Sequence, residues 1–321
     1  MDFYADIVSE LTTYFHSINS KIKIEKLAPS IPAKLIDTDN PTERKSRETR
    51  YRASRLIERL ITFRRKHILS CKREVFISTE LQEKLRSDEY IQFVSIGKAI
   101  QDDLRNGNDI NGRLSKKADR PSQNDDMLFE WNLYHLHLGE DKEDSNSKYY
   151  RRTGPLLIVY IPPIDSSAYL LDISENHFNN QVAFARKRYL EIIDNNWPDL
   201  LSEYEMHGIT PEYSLTDEER AALRSHHVNA FNHINGKMIG NPGIGITCAG
   251  TSILHTMQAD YYMNIIDQLE KQCRGLQKEY VPRQIPEYKN YRLKFNSDAW
   301  EFYLVEYEPQ RAPKIVSLIP L

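Results

Sequence analysis

Leu156-Leu157-Ile158-Val159-Tyr160-Ile161 and Ala168-Tyr169-Leu170-Leu171-Asp172-Ile173 are the two runs that decide the fold. Each is bounded by turn residues, and the short connection Pro162–Ser167 lets the second run return beside the first. Together they read as a buried antiparallel hairpin. Before the hairpin comes Tyr134-His135-Leu136-His137-Leu138-Gly139, which alternates with the period of a strand. Between these strings lies a polar stretch, residues 140–150, and ahead of them Met127-Leu128-Phe129-Glu130-Trp131. After the hairpin, residues 182–205 have helical character, interrupted near Trp197-Pro198. A short helix begins at Asp217. Short strands around a glycine-rich turn follow in 228–250, and a long helix is expected from about Ser252 to Leu276.

The flanks differ from this centre. Residues 2–18 place Phe3, Ile7, Leu11, Tyr14 and Phe15 on one helical stripe. Three prolines in 27–41 read as an extended link. Asn40-Pro41-Thr42-Glu43 then supplies a cap, a proline for the first helical position and an acid at the third. That helix is expected to run to about Ser70 with Leu56, Leu60, Ile61 and Phe63 inward. The tail reads as three short strands, Tyr291–Phe295, Trp300–Tyr307 and Lys314–Ile319, that extend the main sheet or dock a partner. The fold class is therefore α+β: an N-terminal helical region, a central mostly antiparallel sheet flanked by helices, and a short β-rich C-terminal tail. The expected division is 1–85, 86–276 and 277–321.

The chain has 321 residues, 40% hydrophobic and 28% charged, which suits a globular protein with a substantial core. No apolar run is long enough for a membrane span, and the acidic start does not resemble a secretory signal. Three widely spaced cysteines, Cys71, Cys248 and Cys273, speak against a disulfide framework and a cysteine zinc site, and fit a reducing cytoplasm. The net charge of −3 is unevenly spread. Between Pro41 and Arg73, twelve Lys/Arg face three Glu, a local +9, which leaves −12 for the rest. Such a cluster fits a polyanion, RNA above all, or an acidic protein partner. Arg52, Arg55, Arg59, Arg64 and Arg65 are the expected nucleic-acid contacts. A solvated face paired with the chain's own acids is the alternative.

Eight of the ten histidines lie between His135 and His255. On a strand, His135 and His137 point to one face. With Arg151, Arg152 and His177 nearby, they form a candidate catalytic group for phosphodiester cleavage without a metal or cofactor. One imidazole would take a 2′-hydroxyl proton, another would protonate the leaving oxygen, and an arginine would stabilise the phosphorane. A metal half-site completed by His177 or Asp172, or a purely structural pair, are the competing readings. His226-His227 reads as a helix cap. Five of the chain's 12 glycines fall in 236–250. The string around Gly243 and Gly245, running into Thr251 and Ser252 before a helix, is either an anion-binding loop or an ordinary turn with a cap.

The order of helical lead, histidine-bearing strand, arginine and hairpin ending near a histidine resembles the ribonuclease toxins of the RelE and barnase/EndoU-like group, over about residues 85–205. The strings YHLHLG and RTGPLLIVY also look like those of uncharacterised bacterial proteins. The resemblance implies a metal-independent RNA nuclease in a toxin or defence system. From the residues themselves, a non-catalytic nucleic-acid-binding or regulatory subunit, a metal-dependent hydrolase and an oligomer all stay open.

Overall fold

The computed structural model describes residues 2–32, 38–162, 166–178, 180–209, 211–274, 291–306 and 314–320. In chain order its elements begin with α1 (Phe3–Ile18), α2 (Ile24–Leu27), α3 (Pro41–Arg65), β1 (Glu74–Ile77), α4 (Thr79–Leu85), α5 (Val94–Asn106) and α6 (Asp126–Trp131). Next come β2 (Leu133–His137), β3 (Leu156–Tyr160), β4 (Ser167–Ile173), α7 (Arg188–Asn196), α8 (Asp199–Ser202) and α9 (Asp217–Ser225). The chain continues with β5 (Asn232–Ile234), β6 (Lys237–Ile239), α10 (Ile253–Cys273), β7 (Tyr291–Asn296), β8 (Glu301–Glu306) and β9 (Lys314–Pro320). The fold is α+β. Its contacts divide it into two compact units: Met1–Arg64 with His255–Leu321, and Arg65–Leu254. This is a different division from boundaries at 85 and 276, because the first and last parts of the chain share one core.

In the first unit, Asp2 caps α1 by accepting from the Ala5 N–H. Phe3, Ile7, Leu11 and Phe15 are completely buried, and they pack with Leu56, Ile57 and Leu60 of α3, Ile266 of α10, and Tyr291 and Phe302 of the tail. The tail neither extends the main sheet nor stands apart. It forms its own antiparallel sheet in the order β7-β8-β9, with β7 at an edge. Asp6 accepts from the Leu293 N–H at 3.0 Å, and Glu10 from the Phe295 N–H at 3.3 Å. Four helical residues rise about 6 Å and two strand residues about 6.8 Å, so carboxylates one turn apart meet alternate edge N–H groups. Helix α1 thereby closes an edge that would otherwise invite another strand.

The second unit is built on a four-stranded sheet in the order β1-β4-β3-β2. The hairpin β3–β4 and the pair β2–β3 are antiparallel, whereas β1 joins β4 in parallel. Tyr134, Leu136, Leu157, Val159 and Leu170 cover one face together with Ile96, Ile100 and Leu104 of α5. Leu133, Leu156, Ile158, Tyr160 and Leu171 cover the other with Tyr189, Leu190, Ile192 and Ile193 of α7. Burial on both faces explains why these strands are almost continuously apolar. The β5–β6 hairpin turns through Asn235 (φ 48°) and Gly236 (φ 80°), the two left-handed positions that a tight primed turn requires.

Helix α3 stops at Arg65, short of Ser70. Side-chain anchors draw the following chain away from a helical path. The Ile68 N–H donates to Asn111 Oδ1 at 2.7 Å, and Asn111 Nδ2 returns a bond to the Ile68 carbonyl at 2.9 Å. Helix α10 ends at Cys273, and its expected continuation to Leu276 runs beyond the described residues. No helix among the described residues is long and apolar enough to cross a membrane. Cys71, Cys248 and Cys273 are free thiols.

Candidate functional site

The site lies within the second unit and starts from the turn between α6 and β2. Asp125 caps α6 by accepting from the Leu128 N–H at 3.2 Å, and Asn132 ends the helix in a left-handed conformation. Strand β2 leaves directly from Asn132, which puts His135 and His137 on the same face as Leu133. That face opens on a cavity of about 430 Å³. His135, His137, Arg152 and His177 all line it, together with Asp125, Asp126, Lys66, Lys117, Phe184 and Arg224.

Each imidazole has a distinct environment. His137 is buried, and its Nδ1 accepts from the Thr153 N–H at 3.3 Å, so its neutral ring carries the proton on Nε2. Burial, followed by the neighbouring Arg152, His135 and His177, pushes its pKa down to about 4. His177 donates Nδ1–H to the Gly154 carbonyl at 2.5 Å, which leaves Nε2 as an acceptor. Burial also holds His177 below the usual imidazole range. His135 turns Nδ1 toward Asp125 at 3.9 Å, and this buried nitrogen has no hydrogen-bond partner among the described residues. The Phe184 ring stands between the His135 and His177 rings, with centroids 5.2 and 5.6 Å away. One wall therefore offers an acceptor nitrogen, a ring beside a carboxylate and a neutral donor. Lys117 and Arg152 add positive charge to the same space.

The remaining expected residues lie elsewhere. Arg151 uses its N–H on the Asp141 carbonyl and points its side chain into solvent, so Arg152 alone of the pair lines the cavity. Asp172 is buried between Lys84 and Arg188, at 2.9 and 3.1 Å, and does not join the histidines. Among the described residues, no group of three His, Cys, Asp or Glu side chains is arranged to hold a metal ion. His226 caps the end of α9, its Nδ1 at 2.9 Å from the Ala222 carbonyl.

The arginine stripe of α3 is largely occupied within the protein. Arg55 pairs with the buried Glu58, and burial lowers the pKa of half-buried Arg59. Arg52 is half-buried as well. Arg65 donates to Asn132 Oδ1 and, at 3.0 Å, to the Tyr134 hydroxyl. Arg64 is exposed and lies over the Trp300 ring at 5.2 Å. The solvent-facing cations of this helix are Arg44, Lys45, Arg47 and Arg50 in its first half and Arg64 near its end. Charge counting found the cluster, but it could not show which arginines the core would take up.

The glycine loop has a different task from cradling an anion. The Gly243 and Gly245 N–H groups donate to the carbonyls of Glu130 and Phe129 at 2.7 and 2.9 Å, and so satisfy the end of α6. A Cβ on Gly243 would run into the Phe129 and Leu128 carbonyl oxygens. Thr251 and Ser252 are buried, and none of the four residues lines the cavity. Gly243→Ala should therefore destabilise the protein by roughly 1–3 kcal/mol, the usual range for overpacking. Urea denaturation should show this, with ligand binding per folded molecule unchanged. Lost binding at unaltered stability would contradict the assignment.

Burial of neutral His137 also gives stability a pH dependence. Its pKa is about 4 folded and about 6.5 unfolded, so between these values the unfolded chain binds the extra proton. Stability should fall as pH drops through this window, by about 3 kcal/mol in all from this group. Urea midpoints at pH 7 and pH 4.5 should differ more for the wild type than for His137→Gln. Equal differences would show that His137 is not held neutral.

Arg224, Asp125, Lys66 and Phe184 were not singled out from the sequence. Asp125 did carry a signal, as a capping residue just before the apolar run Met127–Trp131. Arg224 gave none. It reaches Glu130 across 94 positions, with Nη2 at 2.6 Å, while its Nη1 donates to the Phe184 carbonyl at 2.5 Å. Comparison with protein-family models, curated proteins and solved structures found no match to this chain.

Proposed function

We propose that the cavity of the second unit is a metal-independent site for cleaving RNA phosphodiesters. The observation that carries this reading is the convergence of His135, His137, His177 and Arg152 on one cavity, with ring nitrogens in complementary roles. His177 Nε2 takes the proton of the 2′-hydroxyl. The 2′-oxygen then bonds to phosphorus while the bond from phosphorus to the 5′-oxygen breaks. His135, facing Asp125, gives a proton to the departing 5′-oxygen. Arg152 and Lys117 stabilise the charge that develops on the phosphoryl oxygens. The products are a 2′,3′-cyclic phosphate and a 5′-hydroxyl, and no cofactor takes part. A setting in a toxin or defence system belongs to the same proposal and rests on the resemblance alone.

The test is incubation of end-labelled single-stranded RNA with the protein in excess chelator, followed by analysis of the ends. Cyclic-phosphate ends that disappear in His177→Ala support the reading. RNA that is bound but uncut favours a non-catalytic nucleic-acid-binding subunit. Cutting that the chelator abolishes favours a metal-dependent hydrolase.

A further inference from the structure

The histidines of the cavity belong to a longer run of rings. His135 meets Phe184 at 5.2 Å between centroids, Phe184 meets His177 at 5.6 Å, and His137 meets His177 at 5.9 Å. The run continues outward, because the Phe178 ring lies 4.6 Å from that of His177 at a tilt of 43°. Phe178 is 49% exposed, whereas His137 is 2% exposed. The run thus passes from a buried imidazole in the cavity, through His177, to a phenyl ring in solvent just outside the cavity lining. Local hydrogen bonds hold this end in place. The Phe178 N–H donates to Asn176 Oδ1 at 3.0 Å, and the His177 N–H donates to the Gly154 carbonyl at 3.1 Å.

We propose that this aromatic wall, ending in Phe178, is a platform on which an unpaired nucleobase stacks while its phosphate lies against Arg152 and Lys117. The proposal rests on the reading of the cavity as a phosphate site. A planar base covers a phenyl face without requiring a particular hydrogen-bond pattern, so the platform tolerates any base. A base stacked within a duplex cannot offer its face, so the occupant is a single-stranded nucleotide or chain. The cations in the same cavity select for a phosphate and disfavour an uncharged aromatic compound.

Binding of adenosine 3′-monophosphate and of inorganic phosphate should be measured by calorimetry on the wild type, Phe178→Ala and Phe178→Leu. Stacking on one aromatic ring predicts roughly ten- to hundred-fold weaker nucleotide binding in both variants. Inorganic phosphate should bind all three alike. Phe178→Trp should retain nucleotide affinity, and its fluorescence should be quenched on binding. Nucleotide affinity that ignores Phe178 overturns the platform, as does an equal loss for phosphate and nucleotide. The two proposals fail separately. Phe178-dependent nucleotide binding without RNA cleavage removes the nuclease reading and leaves the platform standing. Cleavage that depends on His177 but not on Phe178, in either affinity or KM, removes the platform alone.

Discussion

His177→Ala should lower kcat for single-stranded RNA by roughly 10²–10⁴-fold, the range for removal of a positioned acid or base. KM should change little, because in the proposed mechanism the ring acts on a proton while Arg152 and Lys117 hold the phosphate. His135→Ala should produce a loss of the same order. The double variant should lose less than the product of the two, since the groups serve one concerted transfer. A base at this position would work unprotonated, and the environment holds His177 below the usual imidazole range. The acid limb of the pH–rate profile should therefore fall below ~6.5. Circular dichroism should show both single variants folded. Wild-type rates in the folded double variant would remove the histidines from the chemistry.

Arg224→Ala should cause the largest loss of stability of any single substitution considered, about 3–5 kcal/mol. Arg224 is 6% exposed and Glu130 4% exposed, so the variant would strand a carboxylate away from water. The same guanidinium lies 4.6 Å from the Trp131 ring centroid and donates to the Phe184 carbonyl. The loss would thus combine charge, packing and a main-chain contact. Adding Glu130→Gln to the variant should recover part of it, because the stranded charge is then gone. Urea denaturation of the wild type, both single variants and the double variant measures this coupling directly. A loss below ~1 kcal/mol in Arg224→Ala would mean that water or a relaxed neighbour replaces the pair. Because Phe184 separates two of the histidines, Arg224→Lys should also reduce cleavage more than its effect on stability explains.

What was legible in the sequence depended on how local the cause was. The hairpin β3–β4 was visible because both partners are apolar and only a short turn separates them. The shared face of His135 and His137 followed from strand alternation alone. His177 came within reach because it follows the end of the hairpin. By contrast, β1 is four residues long and pairs with a strand about ninety positions later, so nothing near Glu74 marks it. The glycine string looked like a ligand loop because its true partners, the carbonyls ending α6, come from a segment more than a hundred positions earlier. The α3 arginines looked uniform because periodicity gives a direction but not what fills it. Glu58 takes Arg55, and Asn132 with Tyr134 takes Arg65.

The shared core of the first unit bears on how the chain leaves the ribosome. The stripe Phe3, Ile7, Leu11 and Phe15 emerges early, yet the β7 strand against which α1 packs begins at Tyr291. At ~5–20 residues per second, that leaves the stripe waiting about 15–60 s for its partner. All four strands of the main sheet are complete by Ile173, well inside this interval. The second unit, complete at Leu254, is therefore free to fold while the first has α1 and α3 but still lacks the tail strands. Nascent chains should be most vulnerable to capture by chaperones, or to clumping, through the Phe3–Phe15 stripe, and release from that state should coincide with synthesis of β7–β9.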